Sequence, residues 1–213
     1  MKGGIACPEI FYGLQKKKAY DTLRKSSSSD AKVFVKGKCE MNKKVFRQLS
    51  YGVYVVTTWD KGRAVGCTAN SVMQITSDPA TIAVSINHEN YTNQCIKGTG
   101  RFAVSILGET TDPAIIGIFG FRSSIDTDKF EEAKKLVKGF EPGVKGFLPV
   151  VPDACGYLCC EVTEQMETQT HTIFLGKVTE ADMLKEDNPM TYAYYHNVVK
   201  GTSPKKAPTY IEE

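Results

Sequence analysis

A chain of 213 residues, 41% hydrophobic and 24% charged, fits one larger domain and can bury a core without disulfides or metal. Its formal net charge of +3 is too small to argue for a nucleic-acid or membrane partner. No apolar run approaches the ~18–20 residues that cross a bilayer, and the N-terminus MKGGIACPEIFYGLQKKK lacks the long apolar centre of a signal peptide, so a cytoplasmic protein is expected.

Residues 1–40, with KKK and SSSSD and no sustained period, read as an N-terminal extension, mobile or appended, before a domain over 41–213. Asn42 is placed to cap a short helix through about Leu49, with Val45, Phe46 and Leu49 on one face. YGVYVVTTW (51–59) is β-branched and aromatic, hence a strand. DKGR (60–63) is a hairpin turn with Gly62 ready for positive φ, and RAVGCTA returns antiparallel. SDPA (77–80) is a further turn before the strand TIAVSIN. YTNQCIK (91–97) reads as one or two helical turns, GTG as a break and RFAVSIL as a strand. TDPAIIGIFGF (111–121) opens with Asp-Pro in cap and first-turn positions, and DTDKFEEAKKL (126–136) is a second, amphipathic helix. ACGYLCCEVTEQMET and HTIFLGKVTEADM read as two long strands meeting near 168–170. Strands in hairpin order, without strand–helix–strand alternation, imply an antiparallel barrel with helical insertions.

The seven cysteines are odd in number in a chain that is not small, which argues against a disulfide scaffold. CGYLCC (155–160) has no CxxC pair and no nearby histidine, and Cys159 and Cys160 face opposite sides of a strand, so packing is expected rather than metal. GTGRFA (98–103) precedes a strand instead of opening a helix, which excludes a dinucleotide fingerprint. The stretch VGCTANSVMQIT (65–76) stands out because Thr68, Asn70 and Ser71 interrupt apolar sequence. Free N–H groups and hydroxyls at a strand end can hold a phosphate or an aromatic ring with polar edges. SINHENYT (85–92) ends another strand in the same polar manner, with Asn87, Asn90, Tyr91 and Thr92. Ordinary loop edges share this composition, so both readings stand at this point.

FRQLSYGVYVVTT (46–58), GCTANSVMQITSDPATIAVSIN (66–87), HTIFLGKV (171–178) and TYAYYHNVVKGTSPKKAPTY (191–210) together resemble the flavin reductase-like family of FMN-binding split barrels. The resemblance is greatest to the flavin domain of high-molecular-weight rubredoxins and to flavoredoxin-like proteins. It implies a mainly β, six-stranded antiparallel Greek-key split barrel, a homodimer and FMN near the subunit interface. It implies FMN contacts from Cys67, Thr68, Ala69, Asn70 and Ser71, from Ser85, Ile86 and Asn87, and from Asn90, Tyr91 and Thr92. NADH or NADPH is the implied co-substrate and His171 the implied contact to it. Relatives carry Gly-Asp before this histidine where Gln169 and Thr170 stand here, which leaves a protein electron donor as the alternative. Tyr194, Tyr195 and His196 either close the site or pack at a dimer contact, and Trp59 either leans over the flavin or covers the barrel end. The implied activity is an FMN-dependent oxidoreductase that takes hydride from NAD(P)H and passes electrons to free flavin, ferric iron or a separate rubredoxin-type carrier. The alternative is a flavoredoxin-like carrier without direct NAD(P)H oxidation.

Overall fold

The computed structural model describes residues 42–204 and 207; the extension expected over 1–40 lies outside them. The short helix expected from Asn42 is a 3-10 helix, Lys43–Gln48, and Val45, Phe46 and Leu49 are exposed instead of sharing a buried face. The chain then forms β1 (Tyr54–Asp60) and β2 (Arg63–Ala69). Lys61 and Gly62 both have positive φ, 49° and 86°, the two-residue turn whose twist matches that of the flanking strands. β3 (Val72–Ser77) and β4 (Ala80–Asn87) follow. Helix α1 (Tyr91–Thr99) is capped by the Asn90 side chain and ended by Gly100 at φ 65°. After β5 (Arg101–Leu107), α2 (Pro113–Phe121) starts from an Asp112 cap and α3 (Lys129–Leu136) from an Asp128 cap. After α3 comes a small hairpin, β6 (Gly143–Lys145) and β7 (Leu148–Val150). Two long strands, β8 (Ala154–Glu167) and β9 (His171–Met183), and helix α4 (Tyr192–Asn197) complete the order.

Seven strands pair antiparallel in the order β2-β1-β5-β8-β9-β4-β3. The strands at the two ends of that order, β2 and β3, are consecutive in the chain, joined by Asn70 and Ser71 alone. Three Cα steps span at most about 11 Å, so the two sheet edges meet and the sheet closes on itself. The count of seven, against six expected, comes from this interruption: β2 and β3 are one bent strand broken at Asn70–Ser71.

Alternation along the strands separates two cores. Val56, Phe102, Val104, Cys160, Phe174, Val84 and Ile86 fill the barrel interior. Val55, on the other face of β1, packs under the helices with Ile115, Ile116, Phe119 and Phe130. Each such buried side chain is worth about 1.5–3 kcal/mol relative to exposure. Cys159 joins a third cluster beneath β6–β7, with Leu148, Val150 and Tyr157, while Cys160 faces the barrel interior, as their adjacent positions on a strand require. Trp59 covers this end of the barrel, its Nε1–H donating to the Phe147 carbonyl at 2.6 Å. Among the described residues no helix is long and apolar enough to cross a membrane.

Candidate functional site

A cavity of about 480 Å³ opens where the bent strand breaks. That size suits a small organic cofactor. One wall is the end of β2: Cys67, Thr68, Ala69 and Asn70. These side chains are small because helix α2 lies against them. Thr68 Oγ1 donates to the Ile116 carbonyl at 3.3 Å, and a Cβ on Gly120 would come 3.4 Å from the same hydroxyl oxygen. The second wall is the end of β4, Ser85, Ile86 and Asn87, continued by Glu89, Asn90 and Tyr91 into the start of α1. The Asn87 Oδ1 accepts from the Glu89 N–H at 2.9 Å and the Asn90 Oδ1 from the Thr92 N–H at 3.1 Å, which fixes the backbone of this corner.

The remaining walls come from segments distant in sequence. Helix α2 contributes Ile116 and, at its C-terminal end, Gly120 and Phe121, followed by Arg122 and Ser123. Tyr192 and Tyr195 of α4, then Thr202, Ser203 and Pro204, close the side formed by the C-terminal segment. That segment is tied to α4: the Tyr195 hydroxyl donates to the Thr202 carbonyl at 3.2 Å, and His196 Nδ1 lies 2.9 Å from the Gly201 carbonyl. His196 therefore acts behind the wall, and Tyr194 is not on it, whereas Tyr195 is.

Of the residues singled out in the sequence, Cys67, Thr68, Ala69, Asn70, Ser85, Ile86, Asn87, Asn90 and Tyr91 all reach this cavity. Three do not. Ser71 turns away, its hydroxyl donating to Asn70 Oδ1 at 3.1 Å. Thr92 is buried behind the wall, its hydroxyl oxygen without a hydrogen-bond partner among the described residues, and burial pushes the pKa of the nearby Cys67 thiol up. His171 stands opposite Asn87 in the β4–β9 register, one strand beyond the wall. Its Nδ1 lies 2.8 Å from Thr170 Oγ1, and its Nε2 is buried with no hydrogen-bond partner. Burial first, and then the nearby His88, hold its pKa below the usual imidazole value. Close to it, Glu167 pairs with His88 Nε2 at 2.9 Å and with Lys97 Nζ at 2.8 Å.

Two cations, one on the cavity wall and one behind it, have no signature in the sequence. Arg122 lines the cavity and is also paired with Glu132. Lys129 is 2% exposed, and its Nζ donates to the carbonyls of Gly66 at 2.8 Å and Phe119 at 3.0 Å. A lysine in a polar stretch looks like a solvated residue, and only the fold shows Lys129 to be buried, whereas Arg122 stays exposed at the cavity rim. The described cysteines are free and buried, and burial raises Cys159 to about 11 and Cys160 to about 12, so these thiols stay protonated and pack. Among the described residues no group of three or more His, Cys, Asp and Glu is placed to hold a metal ion.

The lining therefore offers a thin wall of small residues, amide edges at Asn70, Asn87 and Asn90, aromatic rings at Tyr192 and Tyr195, and a guanidinium beside a serine hydroxyl. A flat ring with polar edges and an anionic tail fits that chemistry. Residues 46–203 match the flavin reductase like domain family. The chain belongs to this family. By family it is a flavin reductase-type oxidoreductase, as the resemblance implied. It is 42% identical over 171 residues to a high molecular weight rubredoxin of Moorella thermoacetica, covering 80% of this chain and 72% of that one. It is 38% identical to a ferric-chelate reductase (NAD(P)H) of Archaeoglobus fulgidus, covering 81% and 99% of the two chains. Among solved structures, a flavin reductase in its native state superposes with TM-score 0.58 at 27% identity, covering 71% of this chain and 93% of that one.

Proposed function

We propose that this flavin reductase-like protein binds FMN in the cavity at the β2–β3 break and transfers electrons from NAD(P)H to free flavin, ferric iron or a rubredoxin-type carrier. The observation that carries the reading is the wall Cys67–Asn70, where small side chains beside α2 leave room for a ring and present amide edges to it. Bound flavin would supply the redox chemistry, accepting a hydride from reduced nicotinamide and passing the two electrons on. The chain's own residues do the rest. Asn70, Asn87 and Asn90 orient the ring edges, Tyr192 and Tyr195 exclude water, and Arg122 with Ser123 suits a single phosphate, which favours FMN over FAD. The buried thiols suit a reducing, cytoplasmic compartment.

The proposed assembly is a homodimer. Ile82, Val84, Ile86 and Phe174 point into the barrel, so the alternate residues of β4 and β9 face outward. On that face Met73 pairs with Ala83 and Ala83 with Leu175, while Ser85 pairs with Ile173 and Ile173 with Met166. Met73 is 63% exposed and Met166 57%. Ser85 and Asn87 lie in the same outward row and line the cavity, so a second copy on this face would reach the ligand.

Purified protein that is yellow and takes up FMN in preference to FAD is the expected result. Stopped-flow mixing with NADH and NADPH then tests the donor: rapid bleaching of the flavin band is expected for at least one of them. One observation favours the carrier alternative. His171 is off the cavity wall and follows Gln169–Thr170. Flavin that stays oxidised with both nicotinamides would establish that alternative, with a protein as donor. His171→Ala separates the two readings: slower nicotinamide-driven reduction with the flavin still bound would place His171 at the donor contact, and unchanged reduction would remove it from that role.

A further inference from the structure

Lys129 is an anomaly of the described fold. Its amine is almost completely buried, yet among the described residues no carboxylate lies within ion-pair distance of it. Buried charges in proteins are normally paired. Its protons instead go to two backbone carbonyls, Gly66 at 2.8 Å and Phe119 at 3.0 Å. Ser124 Oγ donates to the same Gly66 carbonyl at 3.3 Å. Each carbonyl immediately precedes a cavity-lining residue: Gly66 precedes Cys67, and Phe119 precedes Gly120. The amine thus joins the β2 wall to the α2 wall from behind. Burial lowers its pKa only to about 8, so at neutral pH it keeps its proton.

We propose that Lys129 is a positioning residue that clamps the two walls of the flavin cavity and whose uncompensated charge favours the reduced, negatively charged flavin over the oxidised one. The inference rests on the reading of the cavity as a flavin site. A fixed cation in a dry setting acts strongly on charge that appears nearby, because little solvent screens it. Small residues at Cys67 and Thr68 keep the layer between the amine and the cavity thin. The clamp accounts for the two hydrogen bonds, and an anionic occupant of the cavity accounts for the missing counter-ion.

The test uses the flavin-loaded full chain and the neutral variants Lys129→Met and Lys129→Gln, with Lys129→Arg as the charge-keeping control. The affinity for oxidised flavin and the midpoint potential of the bound flavin are both measured. Reduced flavin should lose at least tenfold more affinity than oxidised flavin in the neutral variants, a fall in potential of about 30 mV for a two-electron couple. The arginine variant should stay within threefold of wild type on the same ratio. A neutral variant that folds and keeps the wild-type potential would overturn the inference. So would failure of both neutral variants to fold, which would assign Lys129 to the scaffold alone. A wild-type protein that binds no flavin would instead remove the reading of the cavity itself, and this inference with it.

Discussion

Asn70 sits at the break between β2 and β3 with its side chain buried and its Oδ1 accepting from Ser71. An amide in this setting loses about 1–3 kcal/mol of interaction when its partner group is deleted. Asn70→Ala should therefore weaken flavin binding by about 5- to 150-fold, read by titration of flavin fluorescence; an unchanged dissociation constant would remove it from the site. Lys129 gives a pH prediction. Burial lowers its pKa from 10.5 to about 8, so the unfolded chain holds the proton to higher pH than the folded one. Stability from this group is therefore lowest below about pH 8 and rises towards pH 10.5, by about 3 kcal/mol in all. Urea unfolding across that range should show the rise in wild type and its absence in Lys129→Met. Thr68 and Asn70 were legible in the sequence because small polar groups broke an apolar strand. Arg122 and Lys129 were not, because their roles depend on where the ends of α2 and α3 come to rest in the fold. His171 was legible as a residue but not as a position: the register sets it opposite Asn87, one strand from the wall.

At the level of elements, β-branched runs and turn chemistry located the strands well. The Lys61–Gly62 turn and the Asp112 and Asp128 caps are local signals, and local signals survive folding. The first helix did not follow this rule, since six residues are too few for a stable α-helix without a packed face. The β6–β7 hairpin was hidden because three-residue strands carry no readable alternation. The tight seat of α2 on β2 was equally invisible, and it depends on Gly66. A Cβ there would stand 2.8 Å from Thr57 Cγ2 and 3.3 Å from the Phe119 ring. Gly66→Ala should cost about 1–3 kcal/mol by overpacking, seen as a lower urea midpoint, and should also weaken flavin binding, because the displaced helix carries a wall of the cavity.

For the whole molecule, the barrel class was legible from the hairpin order of strands, while the unbroken succession of partners that closes it was not, because pairing is a long-range property. The outward face of β3, β4 and β9 leads to a prediction at this scale. If the proposed homodimer forms through it, Met73→Glu should shift the protein from that dimer to monomer in size-exclusion chromatography with light scattering, with the fold kept and flavin affinity reduced. A final consequence follows from the two residues that join the first and last strands of the sheet. The Ser71 carbonyl there accepts from the Ser85 N–H at 3.0 Å, which carries the β3–β4 ladder one residue into the joint. Flavin in the cavity would touch the end of β2 and the end of β4 on either side of that joint and act as its latch. Loading the protein should accordingly slow amide exchange most at 69–72 and 84–87, and ligand-free protein should open there before it melts.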